Sequence, residues 1–472
     1  MSGARALLVT ALAIAAASCG FNPGGGQAGD GGVDPDADFQ GDGSPGDAPC
    51  AERCEGNNLY TCSGGQELLT TCAVGCIETG GPHCATLVPS NGAGPADLVD
   101  VTGDLQVSAG QTVVVDTGDG RIVAWAGGNA TTIRDPGNGL GDMIRFRVQS
   151  QINGAPAVAI FGVRSISIAD GGRLWVTGDR PVLFLVAMAA TISGSLDAGA
   201  GHTGTTGTTD CQECAGPGGG DGATSLATAG GCAPGLDGNY SATQDETGGG
   251  GGGFGFAGAP GGSSNGGLAQ GGGVSPLTGC TGASLVPLSG GSGGGRGSLL
   301  GVSGAEVGGG GGGAVQITAH GGIAITGTGE IYAGGAGGQG SVDDFGGGGG
   351  GAGGGILLEA PSLTITTGAR LTANGGGGGS GREANRGENG ARAAARASGG
   401  AGSGGGADGR GGLGGIGSAA NQAATSGSGD VDGTGGGGGA AGLIRINTVT
   451  PLLLPSGVVV SPAASMGEPA RQ

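Results

Sequence analysis

Lysine is missing from this chain, aromatic residues make up 3% of its 472 positions, and charged residues only 12%. Without lysine there is no phosphate-loop lysine, no Schiff-base amine and no lysine general base. The 18 basic residues are all arginine and face 37 acidic ones, for a net charge of −19. Nucleic-acid binding needs a basic footprint that releases counterions from phosphate, so a nucleic-acid partner is excluded. The three histidines, His83, His202 and His320, fall in separate segments and make neither a metal cluster nor a Ser-His-Asp set. No catalytic residue, metal site or cofactor is therefore assigned. The scarcity of aromatics also argues against an extended sugar-stacking platform, although Trp125 and Trp175 could each stack on a sugar. By alternation Trp175 should point outward, whereas Trp125, after Ile122-Val123, reads as core.

What the chain does have is glycine, 128 residues of it, with no Gly-X-Y period and little proline, which excludes collagen. Glycine buries no side chain and loses the most backbone entropy on ordering, so a conventional core over the whole length is not expected. The apolar residues are instead clustered in one recurring phrase. It reads Leu105-x-Val107-Ser-Ala-Gly-Gln-Thr-Val113, then Ile166-x-Ile168 to Leu174, Ile323-x-Ile325 to Ile331 and Leu363-x-Ile365 to Leu371, with Thr191 to Leu196 as a shortened copy. Apolar residues at i and i+2, a glycine turn and another apolar residue describe short strands whose alternate side chains face one interior. Another strand precedes most copies, as in Val182-x-Phe184-x-Val186, Val315-x-Ile317 and Ile356-x-Leu358, and Ile444-x-Ile446 is a fourth. Such units bury their apolar face only by stacking. The expected fold is all-β: a right-handed parallel β-helix, or β-solenoid, interrupted by glycine-rich loops and preceded by a small disulfide-rich module. Its parts are residues 97–200, 314–373 (with a glycine loop at 334–354) and the terminal strands and tail at 443–472. Three glycine-rich excursions occupy 201–313, the loop 334–354 and 374–442. The six-glycine runs beside strands, Gly308–Gly313 and Gly346–Gly351, are expected to pack as extended helices rather than remain coil.

The first 18 residues read as a secretory signal: Arg5, an apolar run from Ala6 to Ala17, and small residues before Cys19. The ending matches a bacterial lipobox except at Ala16, where leucine is preferred, and it makes Cys19 the lipidation site. Of 11 cysteines, that leaves an even ten for disulfides in an oxidising compartment. Residues 19–49 form an acidic Gly/Asp/Pro tether. Cys50-x3-Cys54-x7-Cys62 is then repeated as Cys72-x3-Cys76-x7-Cys84, a duplicated module over 50–85 that is too short for a self-sufficient core. Six cysteines allow fifteen pairings, and spacing does not choose among them. Cys211, Cys214, Cys232 and Cys280 should staple the longest excursion.

The duplicated cysteine phrase, the returning strands and the exit Gly442-Leu-Ile-Arg-Ile-Asn447 resemble glycine-rich surface lipoproteins of myxobacterial-type Gram-negative bacteria. That resemblance implies exposure at the cell envelope and carries no catalytic residues. The expected role is non-enzymatic: a surface lipoprotein, lipid-anchored in the outer membrane or at the cell surface, touching extracellular polysaccharide or other cells. Parallel β-helices also host polysaccharide lyases and hydrolases, and Asp197, Glu330, Glu359 and Arg370 are the residues such an enzyme would draw on. Asp116, Asp170 and the Asp343-Asp344 pair occupy unmatched places or a glycine turn. Ligand binding through the cysteine module alone is a further alternative. The run Arg382, Arg386, Arg392 and Arg396 reads as a solvated, helical excursion that could also meet acidic groups.

Overall fold

A computed structural model of the chain describes residues 50–203, 209–239, 246–263, 280–298, 306–341, 345–382, 384–401, 422–428 and 433–472. The signal-like start, Cys19, the tether, Asp343 and Asp344 lie outside them. Almost all regular structure is β, and most of the strand pairing is parallel.

Three sheets take successive strands in turn. The first holds Val158–Val163, Val182–Val186, Ala314–Ala319, Gly355–Ala360, Leu443–Thr448 and Ser465–Gly467, each parallel to the next. The second holds Leu105–Val107, Ile166–Ile168, Ala190–Ile192, Ile323–Ile325 and Leu363–Ile365. The third holds Thr112–Asp116, Arg173–Thr177, Ser195–Asp197, Glu330–Tyr332, Arg370–Thr372 and Val459–Ser461. Antiparallel strands extend one end of two sheets: Ile122–Ala126 and Asn129–Arg134 the third, Ile144–Gln149 and Gly139–Gly141 the first.

The recurring phrase spans the second and third sheets, and its copies stack in register. Val107, Ile168, Ile192, Ile325 and Ile365 form one column, and Val113, Leu174, Leu196, Ile331 and Leu371 another. Phe161, Phe184, Ile317, Leu358 and Ile446 align on the first sheet. These columns meet in one apolar core. A one-residue slip would turn every column outward, so the pleat itself holds the register.

The glycine tracts are not separate loops. Gly346–Gly354 runs through the middle of a bundle, and its hydrogen bonds repeat every three residues. The N–H groups of Gly347, Gly350 and Gly353 donate to Thr434, Gly437 and Ala440; those of Gly348, Gly351 and Gly354 donate to Gln339, Ala336 and Ala333; those of Gly349 and Ala352 donate to Gly295 and Ser292. Its carbonyls accept with the same period, Gly347 and Gly350 from Gly249 and Gly252, Gly348 and Gly351 from Gly379 and Gly376, Gly349 and Ala352 from Gly309 and Gly312. One extended segment thus bonds to neighbours in six directions, with three residues per turn and no positive φ among its glycines. That is the geometry of a polyproline-II helix whose backbone partners are protein instead of water. All three excursions contribute to the bundle, and the run is buried throughout.

The bundle and the linker after the cysteine module cover the outer side of the first sheet. Ile160, Leu183, Leu185 and Leu357 point away from the main core into a second one, with Phe254, Leu285 and Leu288. The cysteine module carries a three-stranded antiparallel sheet, Arg53–Glu55, Asn58–Ser63 and Gln66–Thr71, tied by Cys54–Cys76 and Cys72–Cys84. Cys50 and Cys62 are disulfide-bonded too. The module is fixed beside the C-terminal strands: Leu87–Val88 pairs with Ala470–Arg471, and Val449 packs on Val74, Ala85 and Leu87.

Candidate functional site

On the outer side of the third sheet, alternation brings Asp197 and Glu330 onto adjoining strands, where Ser195 pairs with Glu330 and Asp197 with Tyr332. Arg392 enters from the third excursion and bridges them. Its Nη2 donates to Asp197 Oδ2 at 2.5 Å and its Nη1 to Glu330 Oε2 at 2.8 Å. Arg173 Nη2 donates to Asp197 Oδ2 at 2.8 Å, and the Gly199 N–H donates to Asp197 Oδ1 at 3.0 Å. The Arg392 guanidinium lies 3.8 Å from the centre of the Tyr332 ring, whose hydroxyl donates to the Gly390 carbonyl at 2.8 Å.

Burial pushes the Asp197 carboxyl up, but Arg392, Arg173 and the Gly199 N–H outweigh it and hold the group below its ordinary range. Burial also raises the Tyr332 phenol and lowers His202. The Arg392 guanidinium, which burial would lower, is held raised by Asp197, Tyr332 and Glu330. Chemically this is a paired, shielded charge centre: Asp197 is 1% exposed, and its bonds fasten the third excursion to the third sheet. Arg370 pairs in register with Glu330, with its side chain in solvent.

Glu359 belongs to a different place. It stands on the outer side of the first sheet, fully buried. Its carboxylate accepts from Ser90 N–H at 3.0 Å, Ser90 Oγ at 2.7 Å, Gln316 Nε2 at 2.8 Å, Thr318 Oγ1 at 2.9 Å and Asn447 Nδ2 at 3.1 Å. Asn91 Nδ2 donates to Gln316 Oε1 at 2.8 Å, and Asp97 binds Arg147. The linker therefore crosses the first sheet from its C-terminal strands back to its N-terminal ones, held by a row of polar side chains. Of the four residues an enzyme would draw on, the fold gathers Asp197, Glu330 and Arg370 on one sheet and places Glu359 on another, as a strap anchor.

Several expectations need correction. Trp175 does leave the core column, but its outer side is covered and it is 2% exposed. Trp125 is not core: Ile122 and Ala124 point inward, and the indole is half-exposed on the other side. The arginine run is neither helical nor one solvated face, because Arg392 is drawn into the charge centre and Arg386 pairs with Asp210. Asp116 caps the Gly118 N–H, and Asp170 accepts from Thr328. Burial lowers His320 as well as His202, and His83 is exposed.

Cys211–Cys214 and Cys232–Cys280 are disulfides in the longest excursion. Cys211, Glu213 and Cys214 have the proximity of a metal site, but the sulfur–sulfur bond removes the thiolates a metal would need. A hollow of about 590 Å³ beside Cys232–Cys280 is walled by glycine backbone, Pro156, Pro287 and Asn153, with no titratable group in its lining. Among the described residues, no helix is long and apolar enough to cross a membrane.

Comparison of the chain with protein-family models, with curated proteins and with solved structures finds no match.

Proposed function

We propose that the three sheets are the faces of a right-handed parallel β-helix, and that the chain is an exported surface lipoprotein with a structural, adhesive role. The observation that carries this reading is the six-way hydrogen-bonded glycine bundle fused to the stacked coils. Ordering that much glycine costs more backbone entropy than ordering any other residue. What results is a stiff block whose extent is surface. Its buried carboxylates serve to fasten the glycine tracts and the linker. In this reading Cys19 carries lipid, residues 20–49 are the tether, and the chain enters the body through the cysteine module beside the last coil. The resemblance to glycine-rich envelope lipoproteins points the same way.

Two measurements test it. Fatty-acid labelling of cells should mark the wild-type protein and be lost in Cys19→Ala; equal labelling would remove the anchor. Cells lacking the protein should attach less to their own extracellular matrix. If the purified protein instead released unsaturated or reducing ends from a polysaccharide, and Asp197→Asn abolished this, the rival reading as a glycan-processing enzyme would replace ours. Attachment retained by residues 50–85 alone would move the binding role to the cysteine module.

A further inference from the structure

The outer sides of the first and third sheets carry buried side chains, Leu183, Leu185 and Leu357 on one and Trp175, Asp197 and Tyr332 on the other. The second sheet differs. Every strand in it reads buried, outward, buried, and the middle residues form a single column: Gln106, Ser167, Thr191, Ala324 and Thr364. All are exposed except Ala324, which is half-exposed. None of these side chains hydrogen-bonds within the described residues, so their donors and acceptors face solvent unspent.

A second row of hydroxyls follows at the turn beside this column. Ser193 and Thr326 bond to each other at 2.8 Å, and Thr366 Oγ1 accepts from the Gly327 N–H at 2.9 Å. In a chain of net charge −19, the column itself is uncharged. Beside the column Arg164 is ion-paired with Asp104, and the exposed Asp170 accepts a hydrogen bond from Thr328.

We infer that this uncovered sheet face binds an extended, neutral polysaccharide chain. Four lines of chemistry select that partner. Neutrality complements a ligand without charge and offers nothing to an anionic glycan or a lipid headgroup. Hydroxyl and amide groups both donate and accept, as sugar hydroxyls do. Five strands at roughly 4.8 Å spacing make a row about 19 Å long and one residue wide, which fits a chain and not a compact molecule. Serine and threonine on a rigid ladder also lose little side-chain freedom on binding. This inference rests on the surface-adhesion reading and names its partner.

The test uses the mature protein and the double variant Thr191→Arg/Thr364→Arg, whose positions are exposed and outside the core. Microcrystalline cellulose and insoluble chitin are the neutral probes, and alginate is the acidic one. Wild type should co-sediment with at least one neutral probe, little affected by salt, and the variant should bind about tenfold more weakly. Unchanged thermal unfolding and disulfide content of the variant keep a binding loss interpretable. The milder Thr191→Val/Thr364→Val pair should weaken binding too, since it removes two hydroxyls while keeping the shape. Binding to alginate alone, equal binding by the variants, or depression of ice growth without glycan binding would overturn the inference. If cells carrying the arginine variant attach to their matrix as well as wild type, the adhesion reading survives and this face falls. If the purified protein binds cellulose through this face while cells lacking it attach normally, the adhesion reading falls instead.

Discussion

Single glycines in the bundle are fixed by contact rather than by turn conformation. A Cβ on Gly349 would lie 2.0 Å from the Gly250 carbonyl oxygen, and one on Gly351 2.0 Å from that of Gly310. Backbone cannot yield as a flexible side chain can, so Gly349→Ala should cost about 3 kcal/mol. Gly282, with nothing within 4 Å of its Cβ position and no positive φ, is the control; Gly282→Ala should leave the denaturant midpoint unchanged. In the core, Ile365 is 4% exposed at the end of its column, and Ile365→Asp should cost ~4 kcal/mol because the carboxylate would be buried among the apolar side chains of the main core. Equal urea midpoints for either variant and wild type would count against this packing. The core columns were legible residue by residue, since alternation by two assigns each side chain to a face. Alternation says nothing about cover, which is why Trp175 leaves the core column as expected and is nonetheless buried.

Among the elements, the linker across the first sheet depends on Glu359. In Glu359→Gln one carboxylate oxygen becomes an NH₂ group facing donors, and leaving buried donors unmatched costs about 1–3 kcal/mol. Hydrogen exchange at residues 85–98 should accelerate while the stacked strands stay protected; uniform acceleration would mean the strap has no independent role. The two excursion disulfides should differ in weight. Cys232–Cys280 spans a sequence separation of 48, Cys211–Cys214 one of 3. Loop-closure entropy assigns about 4 kcal/mol to the long ring and about 2 kcal/mol to the short one. Replacing each pair with serines and comparing melting temperatures checks that order. The spacing of cysteines announced a stapled module without announcing its partners, because pairing is a property of the folded backbone.

For the molecule as a whole, acidification acts through groups whose pKa falls on folding. Burial lowers His202 and His320 from 6.5, so the unfolded chain takes their protons first and stability declines as pH drops below that value. Asp197 is held below its unfolded value of 3.8, so its contribution is complete above that pH and is lost as pH falls through the lower folded value. Denaturant midpoints should therefore be flat from neutral pH up to the onset of tyrosine ionisation near 10.0, sag below pH 6.5 and fall again below 3.8. His202→Gln/His320→Gln should remove the first decline, and Asp197→Asn should reduce the second, which Asp104 shares through its pairing with Arg164. A profile unaltered by either change would show that other groups control the acid limb.

The stacked strands and the glycine tracts between them are local facts of the chain: a two-residue apolar period and a glycine turn specify a strand pair wherever they occur. That polyglycine here can be ordered also follows in part from its own composition, since only residues without a Cβ allow backbones to approach from every side. Partnership across the chain was decided by tertiary structure. Arg392 meets Asp197 over 195 positions, and Ser90 meets Glu359 over 269, with no sequence signal marking either pair. Which sheet faces are sealed and which one stays open is settled in the same way, because cover comes from segments hundreds of residues distant, and side-chain periodicity carries no information about what arrives from elsewhere.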